Sequence, residues 1–130
     1  MAAANSSKHV ETLSAALAAM PGAAAEMGKP NRGVTIYKVM GKMFAILSAN
    51  KDAFVILKAG PYLAQQLRAQ YEGVGHRSHL DRRFWVAISL DADVPMKEIK
   101  RTAKHSYELV CTSLTKKQQD ELAALSSKTA

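Results

Sequence analysis

The chain has 130 residues, of which 48% are hydrophobic and 22% charged, and this length and composition fit one globular domain over residues 1–130. Its 18 lysines and arginines against 11 aspartates and glutamates give a formal charge of +7, which favours polyanionic partners such as nucleic acid. No run reaches the ~20 apolar residues of a membrane span, no secretion signal is recognisable, and the single cysteine, Cys111, excludes an internal disulfide, so we expect a cytoplasmic protein without membrane association.

The N-terminal half of the chain predicts one helix followed by three strands. After a frayed tail at 1–6, Ser7 is the expected N-cap of a helix that Pro21-Gly22 ends. Its apolar residues recur at helical spacing: Val10, Leu13, Leu17 and Met20. Residues 23–33 predict an irregular connection, and β-branched and aromatic residues then predict strands at 34–39, 43–47 and 54–57. The short turns between these strands predict an antiparallel meander, because parallel pairing requires long crossovers.

The C-terminal half predicts a helix, a strand and two further helices. Pro61 opens the first of these helices, where its missing N–H costs nothing, and a strand follows at 84–90. Pro95 begins the longest helix, whose apolar face consists of Met96, Ile99, Ala103, Tyr107, Val110 and Leu114. Thr115 and Gln118 resemble a capping box for a last helix from 116 to about 125, before a frayed tail at 126–130. The order α-β-β-β-α-β-α-α predicts an α+β fold in which a small antiparallel sheet packs against helices.

The segment from His76 to Trp85 holds three arginines, two histidines and two aromatic residues. Because arginine binds phosphate bidentately and aromatic rings stack on bases, we predict phosphate contacts from Arg77, Arg82 and Arg83. In the same segment, His79 or Trp85 would add hydrogen bonds or stacking. The alternative is a charged surface loop that leads into a core strand. Since strand residues alternate between faces, at least one of its aromatic residues, Phe84 or Trp85, is expected in the core.

A second group of cations lies on the longest predicted helix at i, i+3, i+4 and i+7: Lys97, Lys100, Arg101 and Lys104. Such a row can follow a phosphate backbone, and a solvated helix face is the alternative. Lys42 and Lys58, each at a strand end, complete the candidate nucleic-acid contacts. Gly41-Lys42 is not a phosphate-binding loop, because the GxxxxGK[ST] spacing is missing.

Neither a metal site nor a catalytic site is predicted. His76 and His79 supply two ligands where zinc needs three or four. Cys111 lies among apolar residues that make a thiol inert, and the adjacent His105 and Ser106 point apart on a helix. We therefore expect no metal, no cofactor and no enzymatic activity.

Several segments, in order along the chain, resemble the MmcQ/YjbR family of small bacterial proteins over roughly residues 34–114. These segments are Gly41 to Ala45, Ile56 to Lys58, His79 to Trp85, Leu90-Asp91, Val94-Pro95 and His105 to Val110. The resemblance implies a double-winged, frataxin-like α+β fold and a DNA-binding role, and it offers no catalytic residues. The alanine-rich first helix and Arg83-Phe84 depart from the family pattern, and the second departure leaves open whether Phe84 faces the core or a ligand.

Together these features predict a DNA-binding or nucleic-acid-associated accessory protein that acts through a basic surface without chemistry. The alternative is a protein-interaction or small-anion-binding module, in which the arginines grip a carboxylate or phosphate of a partner. An enzyme with an unrecognised site is the third possibility. Phosphate contacts alone confer little sequence specificity.

Overall fold

A computed structural model describes residues 2–27, 33–49, 53–76 and 80–129 of the chain. Its elements are α1 (Ala2–Ala18), β1 (Ala23–Met27), β2 (Val34–Val39), β3 (Lys42–Ser48), β4 (Phe54–Lys58), α2 (Pro61–Gln70), β5 (Val74–Gly75), β6 (Trp85–Ser89), α3 (Met96–Thr112) and α4 (Lys116–Thr129). The strands form one antiparallel sheet in the order β1-β2-β3-β4-β6-β5. The predicted α+β class, with its antiparallel meander and four helices, is confirmed.

The structure adds two strands to the predicted order and lengthens both terminal helices. Residues 23–27 were expected to be irregular, but they pair with β2, and this tertiary pairing overrides the weak strand propensity of three alanines. The two-residue β5 is too short to show a periodicity. α1 begins at Ala2, without Ser7 as its cap, because alanine has the highest helix propensity, and α4 continues to Thr129. Both helices therefore include most of the predicted frayed tails.

Alternation along the strands separates the two faces of the sheet. On one face, Tyr37, Ala45, Leu57 and Val86 lie side by side across β2, β3, β4 and β6. These residues share one buried cluster with residues from all four helices: Leu13, Leu17, Leu67, Ile99, Val110 and Leu122. The helices therefore all cover the same face, and the opposite face carries the cross-strand row Ile36, Ile46 and Ile56.

Helix α3 is attached to the centre of the sheet by a buried serine. The Ser106 hydroxyl donates to the Phe44 carbonyl at 2.6 Å and accepts from the Lys58 backbone N–H at 2.8 Å. The ring of Tyr107 packs edge-on against Phe44, with 5.4 Å between centroids. These contacts hold α3 over β3 and β4 and determine which helix residues point outward.

Two local motifs match the sequence. The β2–β3 hairpin turns on Met40 and Gly41, which have φ of 51° and 83°, and two positive φ values are what a two-residue type I′ turn requires. At the start of α4, the Thr115 N–H donates to Gln118 Oε1, and the Gln118 N–H donates to Thr115 Oγ1, both at 3.1 Å. The predicted capping box is therefore confirmed.

Candidate nucleic-acid interface

The outward side of α3 is a row of cations. Pro95 caps the helix, and Ile99, Thr102, Ala103, Ser106 and Val110 face the sheet. The opposite side presents four exposed cations: Lys97, Lys100, Arg101 and Lys104. At 1.5 Å per residue, the row from Lys97 to Lys104 extends about 10 Å along the helix axis. We call these four residues the α3 row.

Three of the four cations of the α3 row have no ion pair with any residue that the structure describes. Arg101 alone approaches a carboxylate, with Nη1 3.8 Å from Glu98 Oε2, and its side chain is 80% exposed. An exposed i,i+3 pair at this distance contributes little to stability and is easily exchanged for another anion. The α3 row is therefore available to a polyanion.

Helix α3 lies between α1 and α2, with a groove on each side. The α1–α3 groove, about 390 Å³ in volume, is lined in part by Lys100 and Lys104. The α2–α3 groove is larger, about 720 Å³, and Arg101 lies on its rim. The α3 row is thus bordered by two concave surfaces of different composition.

The α2–α3 groove combines an apolar floor with a polar rim. Leu63, Leu67 and Leu109 line it from both helices. Its polar lining comprises Gln66, Gln70, Glu98, Arg101, Thr102, His105 and Glu108. His105 Nε2 lies 3.1 Å from the Ala59 carbonyl, and because a carbonyl only accepts, Nε2 carries the proton. The groove lining holds two carboxylates and one arginine, whereas the α3 row consists of cations only.

Tyr62 lies at this groove and was not among the predicted contacts. The residue is 83% exposed, and it is the one large hydrophobic residue that is exposed among those described. A single aromatic residue beside Pro61 carries no distinctive spacing. Its exposure depends on how α2 packs against α3, so the sequence contained no signal for it.

In the turn before β6, Arg83 is already paired with a carboxylate. Its Nη2 donates to Asp81 Oδ2 at 2.8 Å, its Nε to Asp81 Oδ1 at 3.2 Å, and its backbone N–H to Oδ1 at 2.9 Å. Hydrogen bonds from Arg83 lower the pKa of the Asp81 carboxyl, and the same contact raises the pKa of Arg83. Nη1 and one Nη2 N–H of Arg83 remain for a phosphate, but the Asp81 carboxylate beside them offsets the positive charge that would attract it.

A second arginine, Arg68 of α2, stabilises this turn and was not predicted. Its Nη2 donates to the Arg82 carbonyl at 2.7 Å and to the Trp85 carbonyl at 2.9 Å. Burial, followed by the charge of Arg82, lowers the pKa of Arg68. The sequence held a weak signal, because Arg68 lies four residues after the buried Ala64, on the inward side of α2.

The structure also describes Arg82, Phe84 and Trp85 of the predicted segment. Arg82 is exposed, whereas Phe84 and Trp85 are each half-buried and neither belongs to the buried core. The expectation that at least one of the two aromatic residues is core is therefore wrong, because the core residues of β6 start one position later, at Val86. Arg77 and His79 lie outside the described residues.

Lys42 and Lys58 lie away from the α3 row. Lys42 Nζ donates to the Ser113 carbonyl at 2.9 Å, at the C-terminal end of α3, where a cation interacts favourably with the helix dipole. Lys58 follows Leu57 in β4, is opposite Trp85 in the ladder and belongs to the sheet face that the helices do not cover. Of the predicted contacts that the structure describes, the four on α3 form one row, whereas Lys58 and Trp85 are neighbours in the sheet and Lys42 contacts the C-terminal end of α3.

The described residues also bear on a metal site, a membrane span and the reactivity of the cysteine. No group of three histidine, cysteine, aspartate or glutamate side chains is placed there to hold a metal ion. No helix in those ranges combines the length and apolar character needed to cross a membrane. Burial raises the pKa of the Cys111 thiol, which agrees with an unreactive cysteine.

Comparison with known proteins identifies relatives in sequence and in fold. Residues 18–109 match the YjbR family, and no curated protein matches the sequence. The crystal structure of Deinococcus radiodurans protein DR2400, with its DUF419 domain, is similar at 25% identity and a TM-score of 0.78, covering 88% of this chain and 87% of that one. A Pseudomonas syringae protein shares the fold at 18% identity and a TM-score of 0.65, covering 76% of this chain and 96% of that one.

Proposed function

The chain belongs to the YjbR family, and we propose that it binds nucleic acid through the α3 row, by contact and without chemistry. The observation that carries the proposal is the set of exposed lysines on α3, Lys97, Lys100 and Lys104, which have no ion pair with any described residue. We place this activity in the cytoplasm.

Phosphate contacts are the chemistry that such a row supports. Each lysine that neutralises a phosphate releases a counterion, so affinity falls steeply with salt. A formal charge of +7 for the whole chain adds long-range attraction to a polyanion. Three of the four cations are lysines, which provide no planar fork for a base edge, so the row is expected to bind mainly phosphate and with little sequence preference.

The alternative, a module in which Arg82 and Arg83 grip a small anion or a partner's carboxylate, has less support. Arg83 already holds a carboxylate of its own chain, at 2.8 Å and 3.2 Å. An external anion would bind the remaining N–H groups of Arg83 next to the Asp81 carboxylate, whose negative charge weakens that attraction. A partner protein that co-purifies after nuclease treatment, and is lost on replacing Arg82, would favour this alternative.

A salt titration with matched charge variants tests the proposal. Binding of the full chain to a labelled oligonucleotide is measured by fluorescence anisotropy from ~50 mM salt upward. We expect Lys97→Ala/Lys104→Ala to reduce the log–log salt slope by about two units, or one per contact. Lys116→Ala/Lys117→Ala removes the same charge from exposed positions on α4, and it should change the slope much less.

Two results would refute the proposal. One is the absence of binding at ~50 mM salt, where phosphate contacts are strongest. The other is an equal reduction of the slope by the α3 and α4 double variants, which would show that net charge matters and the α3 row does not.

A further inference from the structure

We infer that the α2–α3 groove receives an unpaired nucleobase, so that the chain prefers single-stranded nucleic acid to an intact duplex. This inference rests on the proposed function, because it takes the α3 row as the phosphate-binding surface. To the proposed function it adds a preference for single strands and a second set of contact residues, those that line the groove.

Tyr62 provides the stacking surface. The residue is 83% exposed and contributes to the lining of the groove. An exposed aromatic ring beside a cationic surface is the arrangement by which proteins bind single strands, since every base has a face that can stack on it. In an intact duplex the bases are stacked on each other, and this ring would have no partner.

The polar lining of the groove suits a base better than a phosphate. Glu98 and Glu108 would repel a phosphate, but carboxylates accept hydrogen bonds from the exocyclic amino groups of bases. Gln66 and Gln70 supply amide donors and acceptors on the opposite rim. The groove therefore binds the base, and the α3 row binds the phosphate backbone of the same nucleic acid.

Arg101 connects the two surfaces. It belongs to the α3 row and also lines the groove, and its 3.8 Å contact with Glu98 is loose enough to be replaced. A nucleotide whose phosphate lies on Arg101 would have its base directed toward the groove. At about 720 Å³ the groove can hold a ligand of nucleotide size, because small-molecule sites begin at roughly 300 Å³.

The test compares one labelled oligodeoxyribonucleotide of ~20 nucleotides, single-stranded and annealed to its complement, at ~50 mM salt. We expect the full chain to bind the single strand about tenfold more tightly than the duplex, and Tyr62→Ala to remove this preference. Tyr62→Phe should retain it, since the ring can still stack. Gln66→Ala should weaken single-strand binding, whereas Gln65→Ala, exposed on the same helix outside the groove lining, should not.

The results distinguish this inference from the proposed function. If Tyr62→Ala leaves single-strand affinity unchanged, or if single strand and duplex bind equally, the inference is wrong. The proposed function then still stands, provided that Lys97→Ala/Lys104→Ala reduces the salt slope. If neither oligonucleotide binds, both are wrong. Because Tyr62 is exposed, Tyr62→Ala should unfold at the wild-type temperature, and a lost preference cannot then be attributed to misfolding.

Discussion

The α3 row and the turn that precedes β6 are both basic, but they differ in what surrounds their cations. On α3, Lys97, Lys100 and Lys104 point into solvent without an ion pair among the described residues. In the turn, Arg83 is held by Asp81, and the backbone carbonyls of Arg82 and Trp85 are held by Arg68. The comparison shows that Arg83 and Arg68 bond to groups of their own chain at the turn, whereas the three lysines of α3 do not.

The largest expected effect is on the stability of the turn. Arg68→Ala removes two hydrogen bonds from a guanidinium to backbone carbonyls, and we expect the free energy of unfolding to fall by about 2 kcal/mol. Urea denaturation followed by circular dichroism measures this loss. Arg101→Ala, whose side chain is 80% exposed, serves as the control and should cost less than about 0.5 kcal/mol. Equal losses for the two variants would contradict a structural role for Arg68.

The second largest effect is on the salt dependence of DNA binding, and it compares the α3 row with the turn. Lys97→Ala/Lys104→Ala and Arg82→Ala/Arg83→Ala each remove two cations, and only the first pair is taken from the α3 row. We expect the salt slope of DNA binding to fall by about two units for the first variant and by about one unit or less for the second. A greater effect from the arginine variant would make the turn, and not α3, the principal phosphate site.

Asp81→Asn tests whether the pairing with Asp81 reduces the contact of Arg83 with phosphate. Neutralising the carboxylate frees the guanidinium, so we expect the salt slope to become steeper by up to about one unit, the contribution of one added contact. The same substitution in an Arg83→Ala background should have no effect on the slope. A gain that persists without Arg83 would mean that Asp81 acts by general repulsion of phosphate.

The smallest effect is a shift in a titration. The hydrogen bonds from Arg83 hold the pKa of Asp81 below its usual range. The stabilisation from this pairing is therefore present above the ordinary aspartate pKa of about 3.9 and is lost as the pH falls through the lower, folded-state value. Carboxyl ¹³C shifts recorded against pH should show a low midpoint for Asp81, which rises in Arg83→Ala. An unchanged midpoint in that variant would exclude the pairing in solution.

Much of the fold could be predicted because its signals are local. The switch from helical to alternating spacing placed β2, β3 and β4, and the prolines at 61 and 95 placed the starts of α2 and α3. Strand β1 could not be predicted, since Ala23–Met27 has no alternation and becomes a strand by pairing with β2. An alanine run predicts helix by propensity, and only the sheet edge decides otherwise.

At the site, the α3 row follows from the sequence alone, because i, i+3, i+4 and i+7 spacing on one helix places its four cations on one side wherever the helix packs. Asp81 lies two residues before Arg83 in the sequence, but the conformation of the turn decides that the two side chains pair. The hydrogen bonds of Arg68 to the turn, and the position of Tyr62 beside a groove with Arg101, result from tertiary packing. Both features depend on how α2 packs against α3 and β6. Contacts between segments that are distant along the chain produce no periodic residue pattern, so they cannot be predicted from spacing in the sequence.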